Sequence, residues 1–191
     1  MDNIKKKLDY PPLILPVCLV GANVNGQPNF EAIAWFNLVD YEPNLISVSS
    51  EKSHYTNQGI RKNKTFSVNI PSPNMAAATD YCGIHSGGKV DKSGVFDVFY
   101  GELKTAPMIT DCPINMECKL TQTVELTHDD LFIGEIIGAY SEEKYLTNGK
   151  PDITKINPLL FEQGLPNYWT IGERAAKAFN IGKNYKPKTK C

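Results

Sequence analysis

The sequence predicts one mainly β domain, an antiparallel barrel or sandwich with a few short helices. Three observations carry this expectation. The 191 residues are 41% hydrophobic and 21% charged, a composition that folds and buries a core. Short apolar, partly β-branched runs recur along the chain with turn residues between them. Residues 113–126 (PINMECKLTQTVEL) alternate apolar and polar almost without a break.

In chain order, residues 13–20 (LILPVCLV) read as the first strand, and Asn25-Gly26 as a turn. Residues 32–38 and 45–50 give two more strands, with Glu42-Pro43 turning between them. Residues 53–62 suit a short helix and 65–70 a strand. After the turn Pro71-Ser72-Pro73, a second short helix fits 73–81, around Met75-Ala76-Ala77-Ala78. Residues 95–103 suggest a further strand. In 113–126 the apolar set is Ile114, Met116, Cys118, Leu120, Val124 and Leu126, broken only by Gln122, so one face should meet a core and the other water. A polar turn at 127–130 and the run LFIGEIIGAY at 131–140 complete a long hairpin. ERAAKAF at 173–179, with Gly182 beyond, predicts a C-terminal helix. No repeat, low-complexity tract or linker interrupts residues 1–191, so a single domain is expected, with a solvated tail from about residue 183.

Bulk properties exclude several classes. Twenty basic and 21 acidic residues give a formal charge of −1, which argues against nucleic-acid binding. The basic runs Lys5-Lys6-Lys7 and Lys183, Lys186, Lys188, Lys190 sit at the ends and read as solvated. Five cysteines (Cys18, Cys82, Cys112, Cys118, Cys191) are an odd number with no CxxC, so neither a disulfide framework nor a four-cysteine zinc site is expected. MDNIKKKLDYPP lacks the apolar region of a secretory signal, and no run approaches the ~18–20 apolar residues of a membrane span. The expected compartment is the cytoplasm.

Three segments carry candidate chemistry. In DYCGIHSGGKVDKSG (80–94), Cys82 and His85 could supply two metal ligands, but no second pair is near and His54 and His128 are distant in sequence. No metal site is expected. A Cys–His nucleophile lacks an orienting partner, so Cys82 reads as a buried loop thiol or as one lining a cofactor pocket. Ser86-Gly87-Gly88-Lys89 is not a P-loop, and no GxGxxG occurs. It is either a plain surface loop or a place where backbone approaches a ligand, with Lys89 and Lys92 supplying charge. In SVSSEKSHYTNQGI (47–60), hydroxyls, His54 and a helix start make an anion site, although Ser53 or Thr56 could equally be a simple N-cap. NFEAIAWFN (29–37) is a strand with aromatics towards both faces, suited to a core or to a flat heteroaromatic ligand.

Taken in order, NFEAIAWFN, SSEKSHYTNQGI, TFSVNIPSP, DYCGIHSGGKVDK and YWTIGE resemble the flavin reductase-like, FMN-binding split-barrel family, within it the flavoredoxin group, from about residue 16 to 182. The resemblance implies a six-stranded antiparallel split barrel, a homodimer, and FMN held noncovalently near the dimer interface. It implies that the strand from Asn29 to Asn37, with Ala34, Trp35, Phe36 and Asn37, lies along the isoalloxazine. Ser49, Ser50, His54 and Thr56 would bind the phosphate, and Ser86, Lys89 and Lys92 would close over the cofactor. Family loops read SGR where this chain reads SGGK, so Lys89 matches less well than Asp91-Lys92. Tyr168 and Trp169 match a segment near the site. No catalytic acid, base or nucleophile of the protein is then needed, because the flavin carries the electrons. The expected activity is electron transfer through FMN, from NAD(P)H or from a redox protein. The rival readings are a flavin-binding module without turnover and a β-barrel interaction protein without cofactor.

Overall fold

The computed structural model describes residues 6–9, 13–185 and 187; Lys5, Lys186, Lys188, Lys190 and Cys191 lie outside them. The strands are β1 (Ile14–Pro16), β2 (Cys18–Val24), β3 (Gln27–Ile33), β4 (Phe36–Tyr41), β5 (Asn44–Glu51), β6 (Thr65–Ile70), β7 (Val98–Phe99), β8 (Met108–Ile109), β9 (Ile114–Glu125), β10 (Asp129–Tyr140), β11 (Leu146–Thr147), β12 (Lys150–Pro151), β13 (Leu160–Glu162) and β14 (Asn167–Trp169). Three short α-helices join them: α1 (Thr56–Asn63), α2 (Ala76–Ile84) and α3 (Ile153–Ile156).

Seven strands form one antiparallel sheet in the order β3-β2-β6-β9-β10-β5-β4. Its ends approach each other where Trp35, between β3 and β4, accepts from the Ser49 N–H of β5 at 2.9 Å. This is a split barrel. Its count is seven rather than six because the expected strand of 32–38 breaks at Ala34-Trp35 and passes from one end of the sheet to the other. Phe66, Phe132, Val20, Val48 and Ile60, all fully buried, fill the interior. The 13–20 run also divides: β1 pairs with β13 in a small three-stranded sheet, and β2 enters the barrel.

The β9–β10 hairpin forms as expected, with register shifts between Ile133 and Gly134 and between Ile136 and Gly138. One face of β9 departs from expectation. Its outer half is solvated, but Asn115 and Glu117 are buried. The segment after β7 folds over Glu117, whose carboxylate accepts the backbone N–H groups of Glu102 at 3.0 Å and Leu103 at 2.7 Å. That excursion explains why only Val98–Phe99 of residues 95–103 is strand.

Helix α1 begins at Thr56 rather than Ser53; Tyr55 is its N-cap, with no side-chain cap bond. It ends where Lys64 takes a left-handed turn (φ 58°) and returns its N–H to the Ile60 carbonyl. Helix α2 runs to Ile84, so Cys82 is helical and not in a loop. The helix expected at 173–179 does not form; a short 3₁₀ turn at Ile181–Asn184 stands instead. Phe179 there is fully exposed. Among the described residues, no helix is long and apolar enough to cross a membrane.

Candidate functional site

A cleft of about 930 Å³ opens where the β3–β4 connection, β5, α2, the β9–β10 turn and the β13–β14 hairpin meet. Its walls are largely apolar: Val17, Ile33, Trp35, Ile84 and Phe161. Polar groups stand at defined points, among them Ser49, Lys52, His128 and Gln163. Tyr168 closes one side, its hydroxyl donating to Asp80 of α2 at 3.0 Å. Burial and the acceptor Asp80 push this phenol up to about 12, so it stays protonated.

A second, polar pocket of about 180 Å³ adjoins the cleft and shares Ala32, Ser53, His54, Gly83 and Ile84 with it. The start of α1 (Tyr55, Thr56), the end of α2 (Cys82) and the loop 85–87 surround it. No acidic residue sits in the first turn of α1, so the N-terminal end of the helix is electropositive. Gly87 is required here, because a Cβ would overlap the Asn29 carboxamide and press on the Tyr55 ring. Asn29 in turn donates to the Thr56 hydroxyl at 2.8 Å.

Two basic side chains flank this pocket, and Glu31 also stands in its wall. Lys92 is 3% exposed, and its ammonium donates to the Phe30 and Cys82 carbonyls, each at 2.9 Å. It therefore ties the end of α2 to β3. Burial pulls its pKa down, against the opposing pull of Cys82 and Glu31. The His54 Nδ1 lies 2.5 Å from Glu31 Oε2. That hydrogen bond raises the imidazole's pKa, with burial opposing. The Cys82 thiol is pushed up to about 11 by burial, with Lys92 opposing, so it is neutral and poorly nucleophilic.

Of the residues singled out from sequence, Ala34, Trp35, Ser49, His54 and Tyr168 line the cleft, and Asn29, His54, Thr56, Cys82, Ser86 and Lys92 line the small pocket. Phe36, Asn37, Ser50, Lys89 and Trp169 line neither. Strand alternation accounts for most of these. With Trp35 towards the cleft, Phe36 packs on the barrel core. Asn37 lies on exposed β4, its carbonyl accepting from Ser47 at 3.3 Å. Ser49 faces the cleft, so Ser50 points inward, 1% exposed, and meets Glu31 and Asn57. Tyr168 faces the cleft, so Trp169 turns away to donate to Glu162 at 2.8 Å. Lys89 is exposed beyond the loop. Lys92 does not close over the pocket edge; it is built into the wall. His85 stacks on Tyr81, with centroids 4.2 Å apart, and among the described residues no cluster suits a metal.

The sequence reading missed Glu31, Lys52, His128, Phe161 and Gln163. Glu31 carried a signal, a lone acid in the middle of an apolar strand. Lys52 lies within the 47–60 segment already singled out, and the other three come from a turn and a hairpin whose approach to the cleft is purely tertiary.

The model of the flavin reductase like domain family matches residues 13–168. Flavoredoxin from Methanosarcina acetivorans is 50% identical, with a TM-score of 0.91 over 96% of this chain and 98% of that one. Flavoredoxin of Desulfovibrio vulgaris (Miyazaki F) is 35% identical, with a TM-score of 0.88 over 94% and 100%. An FMN-binding protein from Thermus thermophilus, 23% identical with a TM-score of 0.76 over 93% and 99%, shares the fold. A barrel split at Ala34-Trp35, a roomy apolar cleft beside a small polar pocket and this run of matches lead to one conclusion: the chain belongs to the flavin reductase-like domain family.

Proposed function

We propose that the chain holds FMN noncovalently and passes electrons through it. The observation that carries this is the pair of joined cavities. An open, apolar-walled cleft suits a flat tricyclic ring, and the adjoining polar pocket, flanked by His54, Lys92 and the start of α1, suits a phosphate. The donor set fits the group. Trp35 and Phe161 offer aromatic walls to the ring, and Val17 and Ile33 keep water from it. Thr56, His54 and Ser86 offer donors to the phosphate end. Lys92 adds positive charge from within the wall. When bound, the isoalloxazine supplies the redox chemistry; the protein positions it and sets its electrostatics.

The most direct test is pigment. Purified protein, or protein reconstituted with FMN, should be yellow with the bands of oxidised flavin; a colourless protein that takes up no FMN refutes the proposal. Anaerobic mixing with NADH or NADPH then separates two donors. Bleaching within the turnover time assigns a nicotinamide reductase, and none with either cofactor assigns a carrier fed by a redox protein.

A second copy of the chain is the partner this surface suits. Edge strand β4 exposes Leu38 (54%), Val39 (50%) and Tyr41 (80%), continuous with half-exposed Trp35 at the cleft. An apolar run there is hard to leave in water. Leu38→Glu should shift the sedimenting species from dimer to monomer. The four described cysteines are buried and unpaired, which suits the reducing cytoplasm.

A further inference from the structure

A buried carboxylate stands beside a pocket that otherwise favours anions. Glu31 is 4% exposed, and the Ser50 hydroxyl contacts both of its oxygens, at 3.1 and 3.2 Å. Left alone, that charge would repel a phosphate. We propose that Glu31 is a positioning residue: it grips His54 through Nδ1, orients the ring, and leaves Nε2 for the cofactor phosphate. The proposal deepens the assignment of the small pocket and rests on it.

The geometry supports each part. Nδ1 of His54 is 2.5 Å from Oε2, while Ser50 Oγ lies 3.2 Å from the same Nδ1 and 2.9 Å from Asn57 Oδ1. Asn57 is fixed in turn by donating to the Glu51 carbonyl at 2.8 Å. Ser50 and Asn57 do not ionise. The Lys92 ammonium is committed to two carbonyls. Among the described residues, His54 is therefore the ionisable donor in contact with Glu31. The charged groups facing the ring are Glu31 from β3, Glu51 from the end of β5, and Lys92 from the loop after α2. The two acids favour its protonated form, and Lys92 with burial opposes it. With Nδ1 occupied, Nε2 is the remaining polar atom of a ring that borders both cavities and is 38% exposed. The pair is neutral overall, so Lys92 and the α1 terminus supply the net positive field.

The test begins with the cofactor-free protein, by following the His54 ring in an NMR pH titration. Wild type should titrate above the ordinary ~6.5. Glu31→Gln should lower that value by about one unit or more, and Glu31→Asp should recover part of it. FMN and riboflavin affinities then follow from quenching of flavin fluorescence. At about pH 7, where the phosphate of free FMN is already largely dianionic, Glu31→Gln should bind FMN roughly tenfold more weakly and riboflavin within about twofold. A wild-type His54 titrating at or below the ordinary value overturns the proposal, even should the Gln variant fail to fold. So does an equal loss of FMN and riboflavin. Should His54→Gln weaken both flavins alike, the phosphate assignment of the pocket falls. The apo titration reports on the Glu31–His54 pair separately.

Discussion

Glu31 on β3 and Glu117 on β9 occupy comparable positions, in the interior of a strand and 4% and 0% exposed, yet their partners differ in kind. Glu117 accepts two backbone N–H groups and the Tyr140 hydroxyl, at 2.5 Å. None of these donors gives up its proton near neutral pH; the carboxylate itself pushes the Tyr140 phenol up. Glu31 accepts from Ser50 and from an imidazole that can change its charge. The first carboxylate latches the loop after β7 onto the sheet and lines neither cavity. The second passes its charge to a ring on the pocket wall. Burial alone does not distinguish a structural acid from a functional one; the ionisability of the partner does.

The comparison yields its largest effect at Glu117. Glu117→Ala strips the acceptor from two part-buried backbone N–H groups and a phenol, and leaving these donors unpaired should cost about 2–3 kcal/mol in urea unfolding. FMN affinity of the folded fraction should stay within about twofold. A strong loss of FMN affinity would erase the distinction between the two acids. Tyr140→Phe is the milder version. It removes one of three donors to a charged acceptor and should cost about 1.5 kcal/mol, again without touching FMN.

How far this was legible in the sequence follows the same local-versus-tertiary division. The β9–β10 hairpin, β5 and β6 could be read because period-two alternation and turn residues are local signals. The break at Ala34-Trp35 could not, since the apolar run continues unbroken from Ala32 to Phe36 while the chain crosses to the other end of the sheet. ERAAKAF has helical propensity but meets no apolar surface to cover, and a seven-residue helix is marginal without one. In the site, four of the five quoted segments reach the two cavities, but neighbouring residues within them point to opposite faces. Alternation separates Trp35 from Phe36, Ser49 from Ser50 and Tyr168 from Trp169. The water-facing side inferred for β9 was wrong at Glu117 because its cover arrives from a loop about fifteen residues earlier.

The smallest effect is the pH dependence of the cofactor-free protein, where the two acids should act at opposite ends of the scale. Burial pushes the Glu117 carboxyl up, but the Tyr140 hydroxyl and the two N–H groups outweigh it, and the net shift is downward. A lowered folded pKa contributes stability above the unfolded value of ~4.3, and this is lost as pH falls through the folded one. His54 is shifted upward, chiefly by its hydrogen bond to Glu31. Its contribution is complete below ~6.5 and disappears as pH rises through the raised value. Solvent screening at a ring 38% exposed keeps that contribution the smaller of the two. Thermal unfolding across about pH 2 to 9 should therefore show an acid-side decline below ~4.3 that Tyr140→Phe reduces. It should also show a shallow alkaline decline that His54→Gln removes. An alkaline decline that survives His54→Gln would detach that limb from the Glu31 pair, while an acid limb unchanged in Tyr140→Phe would detach the other from Glu117.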